Sequence, residues 1–288
     1  MKVSGFSFIR NAIKYDYPVV EAIRSILPLC DEVVVAVGNS DDDTLNLIQN
    51  IDPKIRIVET VWDDKLREGG KVLAIETNKA FEAVSKNTDW CFYIQGDEAL
   101  HEDYIPIVKK AMEEYKDQDN VDGLLFNYKH FYGSFDYIGA STQWYRREIR
   151  VIKNNPSIYS YKDAQGFRKN DNQKLNVKHI DAYIYHYGWV RPPKKMMSKQ
   201  QNFGSLYNGG NKNTVSNLEF DYSNIDALDL FTGSHPKVMH ERIASTNWKF
   251  DKDISKKNYA PKEIFKQTIK KLTGGYIIGE YKNYKIVK

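Results

Sequence analysis

The stretch Asp89–Leu100, DWCFYIQGDEAL, constrains the fold more than any other part of this chain. An apolar run from Trp90 to Ile94 stops abruptly at Gln95, Gly96, Asp97 and Glu98. A strand with one wet face alternates polar and apolar residues. A strand without alternation is covered on both faces, as in a parallel sheet with helices above and below it. At the carboxyl edge of such a sheet, ligands bind. Two acids at that edge lose hydration unless something positive faces them, and a divalent cation carrying a phosphate-bearing ligand meets that need. The plainer alternative is a polar strand end in which Asp97 caps the next helix.

The rest of the amino-terminal half fits the same architecture. Lys2–Ile9 reads as an apolar strand closed by Arg10 and Asn11, and Val19–Leu29 has apolar residues at helical spacing up to Pro28. Glu32–Val37 (EVVVAV) is a second buried strand. It runs into Gly38-Asn39-Ser40-Asp41-Asp42-Asp43-Thr44, a turn of residues that bond their own backbone, and then a helix to Gln49. Ile55–Val58 is a third strand, Gly69–Ser85 an amphipathic helix, and Glu102–Tyr115 another. Strand and helix alternating in this way make right-handed parallel βαβ units, so the fold class is α/β.

After Asp122 the pattern becomes β-rich. Gly123–Phe135 and Trp144–Lys153 read as strands. The second alternates, with Tyr145, Arg147, Ile149 and Val151 on one face and Arg146, Glu148, Arg150 and Ile152 on the other. Residues 154–178 are polar and turn-rich, and Ile180–Val190 is a further strand. Pro192-Pro193 starts a helix to about Tyr207. Residues 208–234, including the stretch Asn211–Asn217, read as loop; short helices follow at 235–243 and 261–272, with an extended tail.

Length and charge bound the function. The 288 residues suffice for one large α/β domain or two small ones. A net charge of +4 is too weak to argue for nucleic acid. Cys30 and Cys91 lie in apolar runs and read as buried thiols in a reducing compartment. MKVSGFSFIRN reads as a first strand, not a secretory signal. No apolar run approaches the roughly 20 residues that span a bilayer, so a soluble, cytoplasmic protein is expected. The lysine pairs 256–257 and 270–271 allow at most a peripheral graze of an anionic membrane.

Taken together, a first strand closed by Arg10-Asn11, the turn VGNSDDDT, a helix bearing Thr77-Asn78 and a strand ending Gln-Gly-Asp-Glu resemble the GT-A nucleotide-sugar glycosyltransferases, family 2 in particular. The resemblance covers about residues 1–190, with 191–288 as a helical extension completing the acceptor side. It implies a Rossmann-like mixed central sheet flanked by helices. The donor implied is a nucleotide-diphosphate sugar, most naturally a UDP-sugar, and the acceptor a glycan or other hydroxyl compound, with no nucleic acid partner. The family's D-x-D motif falls on Gln95-Gly96-Asp97, its first acid replaced by glutamine. Val37 and Gly38 stand where the family's first base-reading acids would be.

The implied metal is Mn²⁺ or Mg²⁺, held by Asp97 and by a late histidine, His186 in YIYHYGW; the alternative for His186 is a hydrogen-bonded core histidine. Arg10, Asn39, Lys71, Gln95, Asp97, Arg191 and Lys195 make up the expected donor-binding set. Arg191-Pro-Pro-Lys194-Lys195 supplies charge and a helix start suited to a diphosphate. An inverting transferase also needs a general base. Asp163, in the loop YKDAQGF, is the first choice. Glu148 is the second, with a pKa expected to be lowered by its arginine neighbours. Trp144, Tyr145, Tyr187 and Trp189 are sugar-stacking candidates, core packing being the alternative for each. Two rival readings stand beside this one: a nucleotidyltransferase, which lacks its glycine-rich basic loop here, and a degenerate transferase that only binds nucleotide or glycan.

Overall fold

The computed structural model describes residues 1–63, 66, 68–207 and 219–288. The loop expected at 208–234 therefore lies outside the described residues as far as 218, and so does Asn211–Asn217. The amino-terminal half runs β1 (Val3–Ile9), α1 (Val19–Ile26), β2 (Glu32–Gly38), α2 (Thr44–Gln49), β3 (Ile55–Thr60), α3 (Lys71–Glu82) and β4 (Trp90–Tyr93). Their strands are parallel, in the order β3-β2-β1-β4. In β2, Val33, Val35 and Val37 enter one core and Val34 and Ala36 the other. Helix α1 covers the first face with Val19, Ala22, Ile23 and Ile26, the i, i+3, i+4, i+7 set of one helical stripe. Helix α3 covers the second with Val72, Leu73, Ala80 and Phe81. Each buried Val, Leu, Ile or Phe among these contributes about 1.5–3 kcal/mol, so covering both faces is the main stabilisation of this half.

The sheet continues as β5 (Glu98–Leu100), β6 (Gly123–Tyr132), β7 (Tyr137–Gly139), β8 (Arg147–Lys153) and β12 (Asn176–Trp189). Strand β8 runs antiparallel between β4 and β6, and β12 lies parallel to β6 on its other side. Helix α4 (Ile105–Tyr115) packs Val108, Ala111 and Met112 into the first core. The result is the mixed sheet flanked by helices that the sequence implied. Carboxyl-terminal elements are α5 (Pro193–Tyr207), β13 (Leu228–Leu230), α6 (His240–Ala244), α7 (Pro261–Leu272) and β14 (Lys285–Ile286).

Two expectations change. The polar stretch 154–178 is not merely turns. It folds as a three-stranded sheet, β9 (Ile158–Tyr161), β10 (Gly166–Lys169) and β11 (Gln173–Lys174), because Ile158, Phe167 and Leu175 bury their side chains against the α3 face of the core. The alternation in β8 does not separate a wet face from a dry one. Flanked by two strands, β8 buries Glu148, Ile149, Arg150, Val151 and Ile152 alike. Both cysteines are buried and free, as expected. Among the described residues no helix is long and apolar enough to cross a membrane.

Candidate active site

Strand β1 has β2 on one side and β4 on the other, and the chain reverses its direction of travel across the sheet between them. A crevice opens beyond the carboxyl ends of strands at such a point. Here it is a cleft of about 380 Å³, lined by Arg10 and Asn11 after β1 and by Gln95, Gly96 and Asp97 after β4. Asp163, His186 and Lys199, together with Tyr17, Trp62, Tyr145 and Trp189, are also in the lining. Residues as far apart in the chain as Arg10 and Lys199 thus meet at one strand edge.

Asp97 is the most constrained acid of the cleft. Its Oδ2 accepts from Lys199 Nζ at 3.0 Å, and its Oδ1 lies 3.9 Å from His186 Nε2. Burial works to raise its pKa. Lys199, His186 and Arg191 outweigh that and hold the carboxyl well below the usual carboxylate range. Lys199 also donates to the Gly188 carbonyl at 2.8 Å, and burial pulls its pKa down to about 8 despite the Asp97 pairing. Arg191 is fully buried 4.7 Å over the Tyr17 ring, and none of its three nitrogens has an acceptor in good geometry among the described residues. Arg191 and Lys199 exceed Asp97 by one positive charge, so this corner is built to receive an anion.

His186 is held in a defined protonation state. Burial lowers it to about 4 and lowers its neighbour His130 to about 3, so both are neutral at pH 7. His130 Nε2 lies 2.7 Å from the Tyr145 carbonyl, which only accepts, so that nitrogen carries the proton. His130 Nδ1 is then bare and accepts from His186 Nδ1 at 3.1 Å. The remaining nitrogen of His186, Nε2, presents its lone pair toward Asp97. Two electron-rich atoms facing each other across 3.9 Å leave a place for a cation, and the tautomer is the one a metal ligand needs. Among the described residues no third His, Cys, Asp or Glu joins them. Protein ligation would therefore be open, with the other positions left to water and ligand oxygens.

Across the cleft, Asp163 sits at the tip of the turn between β9 and β10. Its neighbours Lys162 and Ala164 both have left-handed backbone, φ 55° and 63°. Strain of this kind persists only where surroundings over-determine it. Gln95 supplies part of that, its Nε2 donating to the Ala164 carbonyl at 3.1 Å and to Tyr93 Oη at 3.2 Å. Glutamine at the first motif position thus ties the strand end to the Asp163 turn.

Other sequence candidates fall elsewhere. Glu98 does not extend the acid pair toward the cleft: it is fully buried in a bidentate pair with Arg150, at 2.7 and 2.9 Å, with Tyr128 Oη also donating to it. Glu148 corrects an expectation. It lies outside the cleft lining, buried, with Gln165 Nε2 at 3.0 Å. Burial drives its pKa up to about 8, outweighing the lowering by Arg150, whose guanidinium is paired with Glu98, while the other neighbour, Arg146, pairs with Glu280. Asn39 is not part of the lining; it braces two residues that are, accepting from Arg10 Nε through its carbonyl and from the Trp62 N–H through Oδ1. Lys71 is exposed at the start of α3. Lys195 turns away to the carbonyls of Ile13 and Lys14. Arg191 backs the cleft from behind Tyr17. Tyr187 is core, stacked on Phe131 at 4.8 Å, whereas Tyr145 and Trp189 line the cleft. Trp144 and Trp189 wall a neighbouring groove of about 590 Å³.

Three residues escaped sequence reasoning. Lys199 shares a helical face with buried Met196, three residues earlier, which marks it as inward-facing. His130 meets His186 because β6 and β12 pair in parallel register, a pairing with no local signature. Gly188 leaves the gap beside His186; a Cβ there would lie 2.5 Å from His186 Nε2 and 3.0 Å from Asp97 Oδ2.

Fold and cleft together define an α/β protein with an anion-receiving site at the switch point of its sheet. No protein-family model matches the chain, and no curated protein matches it. Among solved structures it is similar to S. aureus TarS 1–349 in complex with UDP, at 15% identity and TM-score 0.43, covering 72% of this chain and 65% of that one. TarS 1–349 in complex with UDP-GlcNAc gives the same identity and score. Glucosyl-3-phosphoglycerate synthase from Mycobacterium tuberculosis, in complex with Mn²⁺, UDP and phosphoglyceric acid, matches at 20% identity and TM-score 0.29 over 46% of this chain. The chain spans 39% of the longer TarS structure.

Proposed function

We propose that this chain is a glycosyltransferase that moves a sugar from a nucleotide-diphosphate donor, with UDP as its nucleotide, to a hydroxyl acceptor, with inversion. The support is one juxtaposition. Asp97, His186 and Lys199 converge at the edge between β1 and β4, and the turn bearing Asp163 faces them across the same cleft. Of the motif positions read from the sequence, Arg10, Asn11, Gln95, Gly96 and Asp97 line this cleft, whereas Asn39, Thr77 and Asn78 do not.

In this reading the donor lies in the cleft with its diphosphate against Lys199. The excess positive charge of Lys199 and Arg191 offsets charge building on the leaving diphosphate. Asp163 accepts the proton of the acceptor hydroxyl as its oxygen bonds to the anomeric carbon, and the bond from that carbon to the diphosphate breaks with its electron pair. Asp97 and His186 Nε2 would hold Mn²⁺ or Mg²⁺, which supplies Lewis-acid stabilisation of the same leaving group. Arg10 stands over Trp62 at 5.6 Å and forms the wall suited to the base. The acceptor is a glycan in the adjoining groove, where Tyr132, Trp144, Trp189 and Phe220 offer flat apolar faces and Gln143, Asn224 and Asn258 offer amides. Residues 1–190 form most of the donor side, to which 191–288 adds Arg191 and Lys199, and 191–288 also completes the acceptor groove with Phe220, Asn224 and Asn258.

One observation favours a variant. The Lys199 ammonium already neutralises Asp97, so transfer driven by Lys199 without a metal is the second reading. Calorimetric titration with UDP, with Mn²⁺ or with EDTA, separates the two, followed by donor hydrolysis across UDP-, GDP- and dTDP-sugars. Asp97→Ala with full activity would end the assignment. Nucleotide binding without turnover would instead support a degenerate binding protein.

A further inference from the structure

Helix α7 packs on the protein through its polar side. The Glu263 carboxylate accepts from the Thr142 N–H at 2.6 Å and from the Thr142 hydroxyl, and Gln267 Nε2 donates to the Ala140 carbonyl at 3.2 Å. Three of the four large apolar members of the helix face outward, and the fourth, Ile269, is half-buried. Ile264 is 52% exposed, Phe265 58% and Leu272 77%, and no residue of α7 is buried. A helix on a globular protein ordinarily does the reverse, burying its apolar stripe. After the left-handed pair Gly274-Gly275, the chain presents Tyr276 at 59% and Ile278 at 40% exposure. This surface is anchored: Arg146 donates to Glu280 and to the Gly275 carbonyl, each at 2.8 Å.

Charge says what the surface meets. Residues 261–278, the surface itself, carry Lys262, Lys266, Lys270 and Lys271 against Glu263, a net +3, with Glu280 just beyond it. Both acids are engaged within the protein, Glu263 by Thr142 and Glu280 by Arg146. Exposed aromatic and aliphatic groups edged by lysines form the surface of a helix that lies in the plane of an anionic bilayer. A second copy of this chain would set +3 against +3, so the charge that attracts an anionic surface opposes self-association.

We propose that α7 and the Tyr276–Ile278 segment dock this protein peripherally on an anionic lipid surface. The inference stands independently of the reaction assigned to the cleft. The test is co-sedimentation of the full chain with vesicles of phosphatidylcholine alone and of equimolar phosphatidylcholine and phosphatidylglycerol. Binding is expected only to the anionic vesicles and should weaken as salt is raised. Phe265→Ser with Leu272→Ser, and separately Lys262→Glu with Lys271→Glu, should each lower partitioning about 10-fold. All four side chains are exposed, and circular dichroism checks that the variants stay folded. Failure of the wild type to sediment with anionic vesicles overturns the proposal, as does unchanged binding by the serine variant. A concentration-dependent dimer in ultracentrifugation that the serine variant dissolves would overturn it too, making the face an interface between copies.

Discussion

His186 Nε2 and Asp97 Oδ1 face each other across 3.9 Å, and Gly188 is the residue that keeps the gap beside them open. Gly188→Ala places a methyl 2.5 Å from His186 Nε2, so the imidazole must turn aside. Transfer activity and UDP affinity in Mn²⁺ should fall at least 100-fold, on the order expected when a reacting geometry is displaced by about 1 Å. Thermal unfolding and circular dichroism should show a folded protein. Unchanged affinity and turnover would show that the gap holds nothing.

His130 is outside the cleft lining and acts on it through His186 and through the Tyr145 carbonyl it holds. His130→Ala removes the acceptor that keeps the proton on His186 Nδ1, and Mn²⁺ affinity should drop about 10- to 100-fold, the usual cost of losing such a partner. Nitrogen NMR of the wild type should find His186 protonated at Nδ1. A wild-type signal from the other tautomer would defeat this prediction before any variant is made.

Lys199→Met leaves a buried carboxylate without its ammonium. Urea unfolding at pH 7 should show a loss of about 3–5 kcal/mol, the cost of breaking one side of a buried pair. The sign with pH is fixed by the depressed Asp97 pKa. In the wild type its stabilisation is present above the ordinary value of 3.8 and is lost as pH falls below that. This acid-side loss should shrink in Lys199→Met.

Asp163→Asn should lower kcat by about 10²- to 10⁴-fold, the range for removing a general base, while leaving UDP affinity intact. Glu148→Gln should leave kcat near wild type, since that carboxyl lies outside the cleft lining. The opposite ranking in single-turnover assays would transfer the base role to Glu148.

Glu148 makes a separate stability prediction. Its carboxyl is raised from 4.5 to about 8 by burial, so the folded protein binds the extra proton between those values. The resulting stabilisation is full below pH 4.5 and declines as pH rises through 8. Glu148→Gln, neutral at every pH, should flatten that decline and melt higher than wild type on the alkaline side. Parallel pH slopes in thermal melts of the two proteins would refute it.

Continuous apolar strands, amphipathic helices and strand-end turns were legible along the chain because each is a local pattern of period two or three to four. The run Trp90–Ile94 and the break at Gln95 located both the buried strand and the edge of the cleft from local pattern alone. The same local reading misjudged Glu98 and Glu148. Their charge environments are set by Arg150, a residue whose partner depends on which strands flank β8. The stretch 154–178 misled for a related reason: its few buried residues are spaced among polar turns, and only the core they pack on reveals them as strands.

The sequence by itself determined that this chain would build a parallel α/β sheet with an acid at its carboxyl edge, since hydrophobic periodicity and turn chemistry are properties of neighbouring residues. Only the tertiary structure decided that Asp97 would meet Lys199, that His130 would fix the proton of His186, and that α7 would turn its apolar side outward. Each depends on register and docking between segments distant in the chain, where close packing and buried charge, not local propensity, select the partner.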